Sequence, residues 1–351
     1  MNGLRGKAGL EMGNVGTRGA RVARLVPAAL AIPLVAAGCG GSEQSTLSPE
    51  SHASREIAQL WWVMLIASAI VFGVVLVLLA VALLRRRGPE APPARTGSRE
   101  VWIPAVGGVA APVVILVGLF AITLHTLPAT SPAAGATSSL TIRVTGRQWF
   151  WDVEYPGRGV RTANEIHIPV GVPVDVEAVS GDVIHSFWVP ELNRKVDMIP
   201  GRLNHVRLQA ERAGVYRGQC AEFCGLQHAH MAFEVVAEPR ARFAAWLTAQ
   251  AREATAPTSP EQQRGLQVLL GSACVYCHTI AGTNASGRIG PDLTHFASRR
   301  SIGAATLPNT RGYLAGWILD PQHLKPGNKM PGTALSGDEL QPLLDYLQSL
   351  R

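Results

Sequence analysis

Two uninterrupted apolar runs, residues 60–84 and 103–124, constrain this chain more than any other feature. They hold 25 and 22 residues without a single charge, and about 20 apolar residues suffice to cross a bilayer as a helix. A buried hairpin in a soluble protein is the alternative, and the lengths argue against it. Composition agrees: 47% of the 351 residues are apolar and only 16% are charged, where ordinary soluble domains carry about 25% charge. That balance excludes a disordered tail protein, and five cysteines are too few for a disulfide-built scaffold.

The net charge of +7 would suit a nucleic-acid binder if it formed a patch on a folded domain. It does not. Residues 1–38 carry a net +4, from Arg5, Lys7, Arg18, Arg21 and Arg24 against Glu11, and the loop 85–100 carries a net +3. The remainder sums to zero. Basic residues beside apolar segments set membrane topology, and positive loops stay cytoplasmic. Arg85, Arg86 and Arg87 directly follow the first run. The loop 85–100 is therefore expected inside and everything beyond about residue 126 outside, with no nucleic acid as partner.

Residues 1–38 read as a removable signal: a basic stretch, an apolar run over 25–37, then Ala36-Ala37-Gly38 before Cys39. Small residues ahead of a cysteine resemble a bacterial lipoprotein signal, which implies that Cys39 is lipidated and becomes the mature N-terminus. An ordinary secretory signal with Cys39 as a bystander is the other reading. The orientation it implies matches that given by the arginine cluster. A hairpin over 57–126, a Thr/Pro/Ala/Gly/Ser-rich exit at 126–139 and a second linker at 251–260 leave two extracytoplasmic domains, 140–250 and 258–351.

The first of these alternates with period two at 141–144, 174–177, 206–209 and 231–235, punctuated by glycine and proline. That is the pattern of a small β-sandwich or barrel, with a closing helix expected over 240–250. Its informative stretch is Cys220-Ala-Glu222-Phe-Cys224-Gly-Leu-Gln-His228-Ala-His230-Met231, with His185 upstream. Thiolate and thioether ligands select soft metals, and imidazole suits copper or zinc. A mononuclear blue-copper site needs one cysteine; here there are two, enough for two coppers sharing two thiolates. A Cys220–Cys224 disulfide is the competing reading in an oxidising compartment.

In the last domain, Cys274-Val-Tyr-Cys277-His278 is the c-type haem attachment pattern: two thiols three residues apart can each form a thioether to the haem, and the adjacent imidazole reaches the iron. The sixth ligand is expected downstream at Met330, the domain's single methionine, with His295 and His323 as rivals. Thioether ligation raises the haem potential. Helices are expected at 260–272 and 313–319. A capping box at Ser336 and Glu339 should open a last helix to Leu350, with Leu340, Leu343, Leu344 and Leu347 as its buried stripe.

The motif C-x-E-x-C-x3-H-x2-M resembles subunit II of haem-copper oxidases, with the match running from about 57 to 240, and Met330-Pro in a Gly-rich loop resembles class I cytochromes c. Together they are similar to the caa-type arrangement of cytochrome c oxidase. The resemblance implies a two-helix transmembrane hairpin, a cupredoxin-like Greek-key β-barrel, then an all-α class I cytochrome c domain. It implies a binuclear CuA centre with Cys220 and Cys224 bridging, His185 and His228 terminal, Met231 weak, and Glu222 binding through its carbonyl. The Glu222 side chain would reach a magnesium site shared with subunit I. Trp149 matches the residue through which electrons reach CuA, and Glu100 matches a glutamate that can feed protons into subunit I, although a solvated interfacial glutamate reads equally well there. The Pro291 carbonyl is expected to orient His278.

The cofactors implied are two coppers, one covalent haem c and magnesium at the subunit I interface. The partners implied are subunits I and III, with a cytochrome c or a bc-type complex as donor, in a bacterial plasma membrane. This chain would transfer electrons only; oxygen reduction and proton pumping belong to the complex. Two alternatives stand: the CuA subunit of a nitric-oxide reductase, with the same ligands, and a membrane-anchored copper chaperone or redox sensor. The latter predicts one labile copper and a disulfide-competent cysteine pair.

Overall fold

The computed structural model describes residues 44–85, 102, 104–131 and 140–351. The expected signal, Cys39 and Glu100 lie outside the described residues. Helix α1 (His52–Leu84) opens on Ser51, whose hydroxyl accepts from the Ser54 amide, the usual way to satisfy an orphan donor at a helix start. A π-helical turn at Val106–Ala110 leads into α2 (Ala111–Thr130). Both helices are long and apolar enough to cross a membrane, and they are apolar all round, as lipid-facing spans are. α1 begins ahead of its uncharged run, at His52, and α2 ends beyond its own, at Thr130. On α2, Thr126 and Thr130 donate their hydroxyls back to the Ile122 and Leu127 carbonyls.

The β-domain packs two five-stranded sheets face to face. Its strands are β1 (Thr141–Arg147), β2 (Phe150–Tyr155), β3 (Val160–Ala163), β4 (Glu165–Pro169), β5 (Val174–Ser180), β6 (His185–Trp188), β7 (Val196–Met198), β8 (Asn204–Leu208), β9 (Gly214–Cys220) and β10 (Ala232–Glu238). One sheet runs β3-β2-β1-β5-β8 and the other β4-β10-β9-β6-β7. β1 pairs parallel with β5 and β4 parallel with β10, while the remaining pairs are antiparallel. Alternating burial along β1 and β5 turns Ile142, Val144 and Val176 inward against Trp151, Phe187 and Phe233. The Tyr155 hydroxyl locks β2 to β4: it donates to the His167 carbonyl at 2.9 Å and accepts from the His167 amide at 2.8 Å. Helix α3 (Arg240–Gln250) closes the domain, with Trp246 stacked on His167 at 4.0 Å.

The last domain is helical: α4 (Pro260–Gly271), α5 (Cys274–Cys277), α6 (Arg311–Leu319), α7 (Pro321–Leu324) and α8 (Gly337–Leu347). α4 crosses α8 so closely at Gly265 that a Cβ there would stand 2.0 Å from the Pro342 carbonyl oxygen. The predicted leucine stripe of α8 is buried. The Glu339 carboxylate accepts from the Ser336 amide and hydroxyl, and the helix stops at Leu347, short of Leu350. One feature is not helical: a two-residue ladder, β11 (Ser301–Ile302) with β12 (Leu307–Pro308). This hairpin reaches the β-domain, where the Ala232 amide donates to the Ala304 carbonyl at 3.2 Å.

Candidate metal centres

The copper-type donors converge where β9 ends and β10 begins. The ladder sets Phe187 of β6 opposite Cys220 of β9, and His185 lies fully buried at the start of β6. Cys224, His228 and Met231 return on the loop that follows. From Cys220 Sγ it is 3.8 Å to Cys224 Sγ, 3.9 Å to His185 Nδ1 and 3.1 Å to the Glu222 carbonyl oxygen. From Cys224 Sγ it is 3.7 Å to His228 Nδ1 and 3.8 Å to Met231 Sδ. With metal–ligand bonds of about 2.0–2.3 Å, donors sharing one tetrahedral ion stand roughly 3.5 Å apart. The spacing and the soft donor set therefore fit a thiolate-bridged metal site, and both thiols are free.

Electrostatics treat the donors unequally: Cys220 is driven toward its ligating thiolate, while Cys224 and His185 are held toward their protonated forms. The hydrogen bond from Cys224 holds the Cys220 thiol far below its usual range, and the same contact pushes Cys224 up. Burial opposes charge on His185, but its hydrogen bonds to Cys220 and Asp182 outweigh that and raise its pKa. Asp182 Oδ1 stands 2.8 Å from His185 Nε2, which leaves Nδ1 toward the sulfurs; such carboxylates orient metal-binding imidazoles. Asp182 also accepts from the Gln148 and Val183 amides. Although burial raises its pKa, these bonds together bring it below the ordinary carboxylate value. The sequence reading did not single out Asp182; its place three residues before His185 is the signal that could have.

Trp149 lies against this loop. Its indole N–H donates to the Cys224 carbonyl at 3.0 Å, and the Gln148 side-chain amide donates to the same oxygen at 2.8 Å. Gly225, at φ +112°, makes room: a Cβ there would come within 2.9 Å of the indole. Trp151 is fully buried in the core. Glu222 is exposed. His230 is turned to Gln227, with its Nδ1 2.9 Å from Oε1. His167 and His205 engage Glu238 and Asp175.

The haem-type residues form a second, local cluster. Cys274 and Cys277 bracket α5, and His278 follows with its amide donating to the Cys274 carbonyl at 2.9 Å. His278 Nδ1 stands 2.8 Å from the Pro291 carbonyl oxygen. That contact makes Nδ1 the protonated nitrogen and leaves Nε2 free for an iron. Burial lowers the His278 pKa, keeping the imidazole in its neutral, ligating form. The two thiols and the oriented imidazole fit a covalent haem. Met330 arrives on a separate loop, braced by Asn328 Oδ1 accepting from its amide and by Gln322 donating to its carbonyl. Both ring nitrogens of the rival His295 face backbone carbonyls, of Arg351 and Arg252, and His323 is exposed on α7.

Comparison with known proteins gives the same division. Residues 157–238 match the family described as cytochrome C oxidase subunit II, periplasmic domain, and residues 262–351 match cytochrome c. Cytochrome c oxidase subunit 2 of Alkalihalophilus pseudofirmus is 34% identical over 332 residues, covering 91% of this chain and 95% of that protein. The Bacillus subtilis protein of that name is 27% identical over 93% of this chain and 98% of its own length. The solved periplasmic domain of subunit II of Bradyrhizobium japonicum cytochrome oxidase is 33% identical, covering 33% of this chain and 96% of that domain at a TM-score of 0.32. With its donors gathered at the end of one barrel and a cytochrome c domain behind it, the chain belongs to the cytochrome c oxidase subunit 2 family.

Proposed function

We propose that this chain is the electron-accepting subunit of a membrane-bound cytochrome c oxidase, fed through its own cytochrome c domain. The observation that supports this most is the sulfur pair between two imidazoles, 3.8 Å apart, with Trp149 hydrogen-bonded to the Cys224 backbone. Two coppers and one covalent haem would supply one-electron carriers at the two centres. Cys220, Cys224, His185 and His228 would hold the coppers, with Met231 and the Glu222 carbonyl as weaker donors. Cys274 and Cys277 would attach the haem, with His278 and Met330 as its iron ligands. Trp149 joins the surface that faces the haem domain to the copper loop.

The exposed Glu222 and Phe223 on that loop suit contact with subunit I, with the Glu222 carboxylate at a shared magnesium. Subunit III and an external cytochrome c or bc-type donor complete the assembly. The hairpin crosses the bacterial plasma membrane twice, with Glu100 ahead of the second span as a proton-feeding group and Cys39 as the lipid anchor. Metal and haem analysis of the purified oxidase tests the reading. Two coppers and one haem c per copy of this chain are expected, with a paramagnetic resonance signal shared over two coppers. A single labile copper would instead favour a chaperone.

A further inference from the structure

Lys325 is the one lysine of the haem domain that is enclosed, with 1% of its surface exposed. Its Nζ donates to the carbonyls of Trp149 at 3.1 Å, His230 at 2.7 Å and Gly303 at 2.8 Å. Three acceptors match the three protons of an ammonium. Two of them belong to the copper domain, one on the Trp149 turn and one on the copper loop, and the third is at the tip of the β11–β12 hairpin. Burial pulls the Lys325 pKa down to about 7.

The surroundings are built around this contact. At the hairpin tip Gly303, Ala304 and Ala305 are all left-handed, at φ +63°, +62° and +54°. For alanine this conformation is costly and persists only where neighbours enforce it. The neighbours are copper-domain groups: Ala232 N–H on the Ala304 carbonyl and the Arg217 guanidinium on the Ala305 carbonyl at 3.3 Å. Next to Lys325, Gln227 donates to the Pro326 carbonyl at 2.6 Å, and a Cβ on Gly327 would meet Leu226 at 2.8 Å. The segment leading to Met330 therefore rests on the loop between Cys224 and His228. At the rim, Lys329 pairs with Asp182 and Arg300 with Glu234, both at 3.5 Å. The Lys329 and Arg300 side chains are well exposed, and such pairs contribute little.

We propose that Lys325 is a positioning residue that, with the β11–β12 hairpin, clamps the cytochrome c domain in one fixed pose on the Trp149 turn and the copper loop. The clamp rests on the electron-accepting reading for its purpose. It makes the tethered domain a permanent occupant of the Trp149 face, so external donors reduce that domain and do not compete for the face.

Acetylation of the intact, detergent-solubilised oxidase with an N-hydroxysuccinimide ester tests it. Lys325 should react at least tenfold more slowly than Lys329. Equal rates would overturn the clamp. In the same complex, K325M should speed amide exchange at least tenfold in peptides covering 228–234 and 301–308. It should also slow transfer from photoreduced haem to copper at least tenfold, while both optical spectra stay unchanged. Unaltered exchange in a folded K325M would also overturn the proposal. Wild-type oxidase with a protected Lys325 but no haem-to-copper transfer would instead defeat the electron-accepting reading and leave the clamp standing.

Discussion

The two redox centres are made in opposite ways. The haem site is nearly all local: Cys274, Cys277 and His278 sit on one helical turn and its exit, and a single carbonyl, that of Pro291, orients the imidazole. The copper site is assembled from a distance. His185 comes from β6, Cys220 from β9, and the rest from the loop that follows. Asp182 fixes a ring whose partner sulfur is 35 residues further along the chain. A local site needs only its motif. An assembled site needs the barrel first, and so depends on packing far from the metal.

Mutations can break this contrast. The largest effect is expected from Cys224→Ser, which removes the sulfur that touches Cys220, His228 and Met231 together. Copper content and the shared-copper signal should vanish, while haem stays attached in full; residual binuclear copper would break the bridging assignment. Met330→Ala should keep the thioether-bound haem but lower its potential appreciably within the roughly 0.8 V range that axial ligands command. An unchanged spectrum and potential in a redox titration would assign the sixth position elsewhere.

Asp182→Asn sharpens the comparison, because it leaves every donor in place while weakening the carboxylate's hold on the His185 ring, along with its contacts to the Gln148 and Val183 amides and to Lys329. Loss of an orienting partner costs about 10–100-fold in metal affinity, readable by chelator competition, and the haem should be indifferent. Smaller still is Tyr155→Phe, far from both centres. It strips the His167 amide of its acceptor, which should lower stability of the copper domain by about 1–2 kcal/mol in thermal unfolding. The cytochrome domain should keep its own transition.

The contrast also explains what the sequence could disclose. Residues 220–231 and 274–278 carry the spacings on which both candidate centres are expected, whereas His185 and Met330 stand apart from them in the chain. The strands are legible in one dimension, since their two-residue alternation matches β1, β5, β8 and β10. Asp182 and Lys325 are not. Asp182 lies three residues before His185 but belongs to no ligand motif, and Lys325 reads as one more surface cation until three carbonyls from distant segments enclose it. The β11–β12 hairpin is hidden for a similar reason, since two-residue strands leave no periodicity. The first helix starts by capping at Ser51, which an apolarity count does not detect.

The root of α1 carries a consequence of its own. Ser51 donates its hydroxyl to the Leu192 carbonyl, Arg55 pairs with Glu211 and Glu50 with Arg212, and from α2 the Thr130 carbonyl accepts from Arg194. Stalk and head are thus joined by contacts from both helices, with the Glu50 and Glu211 backbone amides adding bonds to the Glu191 and Glu50 carbonyls, while the exposed ion pairs add little. The heading of the barrel is set by the same two helices, so a neighbour packed beside them would meet the same side of the barrel.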